Sequence, residues 1–253
     1  MKRNSLPLVT VVTVTRNAEA LIKPTLSSVG SQSYGNIEYI VIDGSSNDGT
    51  INIITEFSNG ISRFISEEDD GIYDAMNKGL RLADQESRLI HFLNAGDVYC
   101  GPNVIENMVS AFVSCARPSH VYGDIIKDGK KSHLPSKIDQ YILSTNMICH
   151  QAVFFQTSAH RNHPYDKTLR ICADYKLLID MVKAGEHFCK VHQPVVEFDS
   201  SGISRQNRAA LYSEKKKIRK LYPRIFLYYH IKQFLKPLKQ KFGNIQINSE
   251  ANE

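Results

Sequence analysis

Cysteine is scarce in this sequence and is not spaced for metal binding. The 253 residues include five cysteines, an odd number, and no two of them form a C-x-x-C pair. This pattern predicts neither a disulfide framework nor a zinc site, and it favours a reducing compartment. The five positions are Cys100, Cys115, Cys149, Cys172 and Cys189.

Long apolar runs are also missing. No stretch reaches the roughly 18 apolar residues that a membrane-spanning helix needs. Basic residues precede the apolar stretch from Leu6 to Val14, as in a secretory signal, but Pro7, the alternation of Val and Thr and the lack of an A-x-A cleavage site favour a strand. We therefore expect a cytoplasmic protein, with a membrane surface as a candidate contact.

Two nucleotide-binding signatures are absent as well. No G-x-G-x-x-G follows the first predicted strand, and the sequence contains no G-x-x-x-x-G-K-[ST] motif. These absences argue against a dinucleotide-dependent enzyme and against a P-loop NTPase.

The composition is that of a globular protein. Hydrophobic residues make up 42% and charged residues 23% of the chain, which argues against intrinsic disorder and collagen-like repeats. The 31 Lys and Arg residues exceed the 26 Asp and Glu residues by five, so the net charge is +5. Because this charge is modest and no basic and aromatic stripe precedes the C-terminal tail, nucleic acid is not an expected partner.

Strand and helix signals alternate through the first half of the chain. Residues 8–15, 37–42, 61–66 and 89–93 are predicted as strands, and helical patterns at 22–29, 51–57 and 73–83 separate them. Such a series predicts an α/β fold, with a mostly parallel central sheet between two layers of helices. We expect one catalytic domain over residues 1–204 and a helical extension over residues 205–253.

Polar side chains follow three of the predicted strands. They belong to Thr15, Arg16 and Asn17, to Asp43 and its loop, and to the segment 94–97. Ligands of open α/β sheets bind outside the carboxyl ends of the strands. The three clusters are therefore expected to line one crevice.

Some of the polar residues in the first half have a structural as well as a functional interpretation. Asp43 can accept a hydrogen bond from a nucleoside, or it can belong to an ordinary turn before a helix. Asp70 lies in an acidic segment that complements the dipole of the next helix. Asn77 and Lys78 lie one turn into that helix, where Lys78 faces either a phosphate or solvent.

Three later residues are further candidates. Asp97 follows an apolar strand and suits Mg²⁺ or Mn²⁺, which takes one or two carboxylates plus diphosphate oxygens. Asp174 stands at the start of a predicted helix, which Gly185 ends, and an N-cap is its simplest interpretation. His150 precedes a predicted strand at 152–155 and, taken alone, is most simply a hydrogen-bonded structural residue.

The tail from Arg205 to Lys241 is rich in Lys and Arg, and residues 221–235 mix aromatic with basic side chains. Helices that lie at a membrane surface have this composition. The alternative is a helix packed on the domain with a solvated basic face. Pro223 and Pro237 leave room for a helix of about thirteen residues between them.

Eight segments occur in an order that resembles family-two glycosyltransferases of the bacterial type that builds O-antigen, colanic acid and related surface polysaccharides. Each segment is a weak signal alone, but eight in register over residues 8–204 are a strong one. They are TVVTVTRN, VIDGSSNDGT, SEEDDGIYDAMNKGL, HFLNAGD, VYGD, CHQAVFF, ICADYKLLI and SSGIS.

The resemblance implies a three-layer nucleotide-diphospho-sugar transferase fold and an inverting transfer. The implied donor is a nucleotide-diphosphate sugar, UDP-linked by family habit. The implied acceptor is a hydroxyl of a glycan that grows on undecaprenyl diphosphate. Because that lipid lies in the inner leaflet, the basic tail would meet the cytoplasmic face of the inner membrane.

The resemblance also assigns roles to individual residues. Asp97 would be the metal ligand retained from the D-x-D motif of the family, and Asp174 the general base. The implied nucleoside and diphosphate pocket consists of Thr15, Arg16, Asn17, Asp43, Asp70, Asn77 and Lys78.

One departure from the family pattern concerns the metal. Asn94-Ala95-Gly96 replaces the first aspartate of D-x-D, which implies weaker binding of Mn²⁺ or Mg²⁺, or a shell completed by His150. It leaves open a second function, a non-catalytic sugar-nucleotide-binding or scaffold subunit of a polysaccharide assembly complex. A sugar-nucleotide nucleotidyltransferase is less compatible, because residues 8–17 contain no glycine.

Overall fold

Strands and helices alternate along the chain, as the hydrophobic pattern predicts. The computed structural model describes residues 6–115, 120–145, 147–198, 207–227 and 231. The strands are β1 (Leu8–Thr15), β2 (Ile37–Asp43), β3 (Arg63–Ser66), β4 (Ser87–Phe92), β5 (Val98–Tyr99), β6 (His120–Lys127), β7 (Lys130–Ser132), β8 (Val153–Gln156) and β9 (Phe188–Phe198). The α-helices are α1 (Ile22–Gly30), α2 (Thr50–Glu56), α3 (Ile72–Leu82), α4 (Val104–Ser114), α5 (Gln140–Thr145), α6 (Thr157–Asn162), α7 (Ala173–Lys183) and α8 (Arg208–Leu221).

The strands form one sheet in the order β3-β2-β1-β4-β8-β6-β9-β5, with β7 paired to β6. The pairs among β3, β2, β1 and β4 are parallel, as is the pair of β6 with β9. Strands β8, β5 and β7 run antiparallel to their neighbours. The parallel half therefore follows from the predicted series, and the other half is mixed.

Two hydrophobic clusters make the structure three-layered. In β1, Val12 and Val14 face a cluster with α3, α5, α7 and α8, whereas Val9 and Val11 face a cluster with α1, α2 and α4. The alternation follows from the two-residue period of a strand. Burial of each valine side chain contributes about 1.5 kcal/mol or more. The predicted fold class is confirmed.

Helix α7 begins and ends close to the predicted residues. Gly185 follows it with φ +85°, and the N–H groups of Gly185 and Glu186 donate to the carbonyls of Val182 and Met181. This is the Schellman arrangement, in which a residue with positive φ ends a helix.

The second half contains elements that the sequence did not predict. Strand β9 is interrupted by polar residues and by Pro194, where its pairing with β6 changes register. A proline in a strand is tolerated at such an irregularity. Helix α5 and strand β7 lie in a segment that was predicted only as polar.

The structure also differs from the prediction for cysteine. Cys115, which follows α4, is joined by a disulfide to Cys189 in β9. The two positions are 74 residues apart, so no local spacing could reveal the pair.

Helix α8 packs on the domain. Ile218 is fully buried, and Tyr222, Ile225 and Phe226 belong to the same cluster as α7. The buried face of α8 thus packs on the domain, as the second interpretation of the tail predicts. Residues 228–230 and 232–253, and the SSGIS segment, lie outside the described residues. Among the residues described, no helix is both long and apolar enough to span a membrane.

Candidate active site

The carboxyl ends of three parallel strands lie side by side. Thr15 is paired in register with Asp43, and Asp43 with Ser66. The N–H of Gly44 donates to the carbonyl of Thr15 over 2.9 Å. Parallel pairing thus brings two of the predicted polar clusters to one edge of the sheet, as expected for a ligand crevice.

The loops after β1 and β2 hold each other in place. The N–H of Asn17 donates to Ser46 Oγ over 2.8 Å, and the N–H of Asn47 donates to Asn17 Oδ1 over 2.9 Å. Asn17 and Ser45 have φ values of +49° and +55°. Residues other than glycine rarely adopt a positive φ, and those that do concentrate at functional sites. Arg16 and Asn17 are exposed beside the loop.

Asp43 is fully buried at the floor of this region. Its carboxylate accepts hydrogen bonds from the N–H of Ser46, the hydroxyl of Ser46 and the hydroxyl of Ser66. In this arrangement Asp43 shapes the loop that would meet a nucleoside, and its oxygens are already engaged.

The acidic loop between β3 and α3 closes over the same edge. Asp69 approaches Gly44 so closely that a Cβ at that glycine would collide with the Asp69 carboxylate. Lys78 Nζ donates to the carbonyl of Glu68 over 2.6 Å and lies 2.8 Å from Glu67 Oε1. Lys78 therefore points to this acidic loop and neutralises part of the negative charge of the loop.

Asn77 lies in a different environment from the one predicted. Its Oδ1 accepts from the N–H of Tyr165, and its Nδ2 donates to the carbonyl of Tyr165, over 3.0 and 2.9 Å. The side chain is buried, so both polar ends of the amide serve the segment before α7. As a correction to the expected position, Asn77 does not face the crevice here.

Asp70 lies beside a small cavity that two basic side chains line. Its side chain is 80% exposed, and its carboxylate lies 3.8 Å from Lys167 Nζ. Arg170 donates from its guanidinium to the carbonyl of Asp70. The cavity has a volume of about 180 Å³ and extends along residues 70–74 and 167–170. Lys167 Nζ also donates to Asp74 Oδ1 over 2.8 Å, so a phosphate group at this place would share Lys167 with that carboxylate.

A tight turn after β4 presents Asp97. The N–H of Asp97 donates to the carbonyl of Asn94, and Gly96 has φ +97°, as the third position of a type II turn requires. The buried hydroxyl of Thr25 in α1 donates to the carbonyl of Asp97 and accepts from the N–H of Gly96. Helix α1 therefore fixes the position of the Asp97 backbone at the sheet edge.

The turn contains two buried oxygens without a hydrogen-bond partner, Asn94 Oδ1 and Asp97 Oδ2. Burial raises the pKa of Asp97 to about 6, although the nearby His150 lowers it. Unpartnered buried oxygens are costly unless a ligand satisfies them. No group of three or more His, Cys, Asp or Glu side chains in the described chain can hold a metal by itself. The residues fit an ion that takes its other ligands from a diphosphate and water.

Asp174 is the second residue of α7, and it is 9% exposed. Its Oδ2 accepts from His150 Nδ1 over 2.9 Å. Its Oδ1 accepts from the N–H of Tyr175 over 2.7 Å and from Tyr73 Oη over 3.2 Å. Burial and the adjacent Asp174 raise the pKa of Tyr73 well above its ordinary value, so its hydroxyl stays protonated and donates.

His150 lies between Asp174 and the turn that carries Asp97. Because an ionised carboxylate only accepts, His150 Nδ1 carries a proton and donates it to Asp174. His150 Nε2 lies 3.4 Å from Asn94 Nδ2 in the turn that carries Asp97. The structure therefore brings Asp97, His150 and Asp174 into one neighbourhood.

No role was assigned from the sequence to several residues of the site. Tyr73 and Asn94 contact His150 or Asp174, and Lys167 and Arg170 contact Asp70. Tyr73 and Asn94 lie inside segments used for the resemblance. Lys167 and Arg170 come from a loop before α7 and had no signal of their own.

The sheet, the helical layers and the carboxylates at the strand ends are those of a nucleotide-diphospho-sugar transferase fold. The chain belongs to glycosyl transferase family 2, whose model matches residues 10–184. A PGL/p-HBAD biosynthesis glycosyltransferase of Mycobacterium tuberculosis is 31% identical over 175 residues, which cover 67% of each chain.

Two solved structures share the fold. TarS 1–349 of S. aureus in complex with UDP has a TM-score of 0.71 and 13% identity, over 90% of this chain and 72% of TarS. This chain spans only 37% of a longer TarS chain. Glucosyl-3-phosphoglycerate synthase of Mycobacterium tuberculosis in complex with Mn²⁺, UDP and glucosyl-3-phosphoglycerate has a TM-score of 0.59 and 17% identity, over 82% of this chain and 79% of the synthase.

Proposed function

We propose that this chain is an inverting glycosyltransferase that moves a hexose from a UDP-linked donor to a hydroxyl of a growing surface glycan. The observation that carries the proposal is the position of His150, which donates to Asp174 and lies beside Asn94 in the turn that carries Asp97. One carboxylate lies on the strand side of the crevice and the other on α7. Inverting transfer needs two such separate sites, one for the leaving diphosphate and one for the acceptor proton.

The donor half of the site is supported by the loops after β1, β2 and β3. Thr15, Arg16 and Asn17 adjoin the loop that Asp43 holds, where a nucleoside would lie. The diphosphate would lie near Asp70, where Lys167 and Arg170 add positive charge. Lys78 would join them if a donor displaced the acidic loop. The UDP in TarS and in the synthase supports the choice of base.

Asp97 and His150, with the Asn94 oxygen beside them, would hold a divalent ion, Mn²⁺ or Mg²⁺. The ion would neutralise the negative charge of the leaving diphosphate. The synthase that binds Mn²⁺ with UDP supports this part of the proposal. Asn94 supplies an amide oxygen from the segment that replaces the first aspartate of the family, and an amide oxygen is also a suitable hard ligand.

Asp174 would act as the general base. The acceptor oxygen attacks the anomeric carbon as the bond to the diphosphate breaks, and the acceptor proton passes to the Asp174 carboxylate. His150 donates to that carboxylate, and the Tyr73 hydroxyl lies 3.2 Å from it, so both side chains limit its direction. Because the attack comes opposite the leaving group, the anomeric configuration inverts.

The acceptor is proposed to be an undecaprenyl-diphosphate-linked glycan of the O-antigen or colanic acid type, made at the cytoplasmic face of the inner membrane. The exposed face of α8 supports this location, since Tyr212, Lys216, Arg219 and Lys220 are all exposed along it. Basic residues near an anionic membrane each contribute about 1 kcal/mol to binding. In this proposal, residues 1–204 are the catalytic domain and residues 205–253 the extension that meets the membrane.

The proposal is tested by donor turnover. The full chain is incubated with a panel of UDP-, GDP- and dTDP-sugars, with and without Mn²⁺, and nucleotide release is measured. We expect release from one UDP-sugar that depends on the metal. UDP binding without release from any donor would contradict the enzyme and favour the scaffold alternative.

Asp174→Asn tests whether Asp174 serves proton transfer rather than donor binding. We expect the substitution to reduce turnover roughly 10²- to 10⁴-fold, while calorimetry shows unchanged UDP binding. The exposed carboxylate of Glu56 at the end of α2 provides the control, and Glu56→Gln is expected to behave as wild type. Wild-type turnover in Asp174→Asn would remove Asp174 from the base role.

A further inference from the structure

Glu214 of helix α8 is a buried carboxylate that binds three backbone N–H groups. It is 6% exposed. Its Oε1 accepts from the N–H of Arg170 over 2.6 Å, and its Oε2 accepts from the N–H groups of Ile171 and Cys172 over 3.0 and 2.9 Å. A carboxylate that accepts several backbone N–H groups holds their positions more firmly than neutral hydrogen bonds do.

These three N–H groups belong to the turn that leads into α7. Cys172 stands at the N-cap position of α7, and its own side chain forms no capping hydrogen bond. Glu214, 42 residues further along the chain, accepts from the N–H of Cys172 itself and so holds the residue from which α7 starts. Asp174 follows two residues after Cys172, so its backbone depends on this anchor.

Tyr73, which also contacts Asp174, holds the opposite side of the same turn. Tyr73 Oη donates to the carbonyl of Ile171 over 2.8 Å and also lies 3.2 Å from Asp174 Oδ1. Glu214 and Tyr73 therefore hold the turn from its N–H and its C=O side. Movement of the turn would change the direction of Asp174 relative to His150.

We propose that Glu214 is a positioning residue for the transfer reaction, and that it acts by fixing the turn 170–172 and hence the direction of Asp174. This inference rests on the proposed role of Asp174 as the base. It extends the catalytic unit beyond the proposed boundary at residue 204 to include α8, because the helix that carries the basic face also holds the active-site turn. Asn207 starts that helix by accepting from the N–H of Ala210 over 3.1 Å.

A positioning role predicts a loss in turnover without a loss in donor binding. Glu214→Gln keeps the size of the side chain but replaces one acceptor oxygen by an NH₂ group, which cannot accept. We expect kcat to fall roughly 10- to 100-fold, because small displacements of a reacting group have effects of this size. The KM for the donor and the calorimetric affinity for UDP with Mn²⁺ should change by a clearly smaller factor than kcat, even though Arg170 at the proposed diphosphate site is one of the three residues that Glu214 holds.

The measurement is normalised to the number of UDP-binding sites found by calorimetry, so that partial unfolding does not appear as a loss of kcat. Ser213→Ala, an exposed neighbour on α8, is the matched control and should keep wild-type kcat. If Glu214→Gln does not fold, Glu214→Asp is measured in the same way, since it keeps the charge but withdraws the carboxylate by one methylene.

A wild-type kcat per binding site in the variant would overturn the positioning role, as would an equal loss of kcat and UDP affinity. Asp174→Asn is assayed in parallel. If Asp174→Asn retains turnover, the proposed base is wrong, whatever Glu214→Gln does. If Asp174→Asn is inactive and the Glu214 variant matches wild type, only the positioning inference fails.

Discussion

His150 Nδ1 lies 2.9 Å from Asp174 Oδ2, and the other ring nitrogen of His150 faces the turn that carries Asp97. The imidazole thus stands between a residue proposed to take a proton and a residue proposed to bind a metal. A carboxylate that fixes the tautomer of a histidine also fixes which nitrogen is available on its other side. The two halves of the candidate site therefore share one side chain.

Removal of this shared side chain should affect turnover. We expect His150→Ala to lower kcat roughly 10- to 100-fold at saturating donor and Mn²⁺, because Asp174 loses the donor that directs it. The exposed His192 in β9 provides the control, and His192→Ala should leave kcat unchanged. Steady-state kinetics of both variants give the comparison, and equal values would show that His150 is dispensable.

The buried carboxylate of Asp97 should make the metal-free protein less stable at neutral pH. Its pKa is raised from 3.8 to about 6 by burial. The unfolded chain therefore loses this proton near pH 4, whereas the folded chain keeps it until about pH 6, so this group lowers stability as pH rises between those values. Without metal, we expect Asp97→Asn to raise the free energy of unfolding by roughly 3 kcal/mol at pH 7.5.

Urea unfolding at pH 4.5 and 7.5 tests this, and the gain should be smaller at pH 4.5. The same variant should bind UDP with little response to Mn²⁺ in calorimetry. An equal gain in the free energy of unfolding at both pH values would contradict the burial argument. An undiminished response to Mn²⁺ would remove Asp97 from the metal site.

Much of the parallel half of the fold could be predicted because its signals are local. Strand β1 alternates between two clusters, and Gly185 ends α7 through its own backbone conformation. The neighbourhood of Asp97 and Asp174 was expected only through the family resemblance. Their link through His150 is a contact between residues 24 positions apart, and it follows from tertiary packing.

The environments of Asp43 and Asn77 could not be predicted from local pattern. Asn77 was predicted at the crevice from its place in a helix, but its partner Tyr165 is 88 residues away. Asp43 is engaged by Ser46 and Ser66, one of which comes from the next strand. Hydrogen bonds of this range decide whether a polar side chain serves the fold or faces a ligand, and one sequence does not reveal them.

Close packing between α3 and β1 gives a stability prediction. A Cβ on Gly79 would collide with Val12 in the sheet. We expect Gly79→Ala to destabilise the protein by about 1–3 kcal/mol, although alanine favours a helix more than glycine does. Thermal or urea unfolding measures the change.

Two further variants identify the cause. Gly30→Ala at the end of α1 is the control, because no atom lies within 4 Å of the added Cβ. Val12→Ala should reduce the loss in the Gly79→Ala background, since it removes the colliding methyl groups. If both glycine variants behave alike, close packing is not the reason.

The outer face of α8 gives a prediction about membrane association. Lys216 and Lys220 are exposed on that face, and the acidic residue of the helix, Glu214, is buried on the other side. We expect the double variant Lys216→Glu with Lys220→Glu to lower co-sedimentation with anionic vesicles at least about tenfold, because each basic residue near such a surface contributes about 1 kcal/mol.

The matched control reverses two exposed lysines elsewhere, Lys23 in α1 and Lys130 in β7, and so changes the net charge by the same amount. If α8 meets the membrane, only the first pair weakens sedimentation, and neutral vesicles bind neither protein well. If both double variants lose binding equally, the attraction depends on net charge alone. If neither loses it, the basic face of α8 is simply solvated, and the contact with the lipid-linked acceptor must come from another part of the chain.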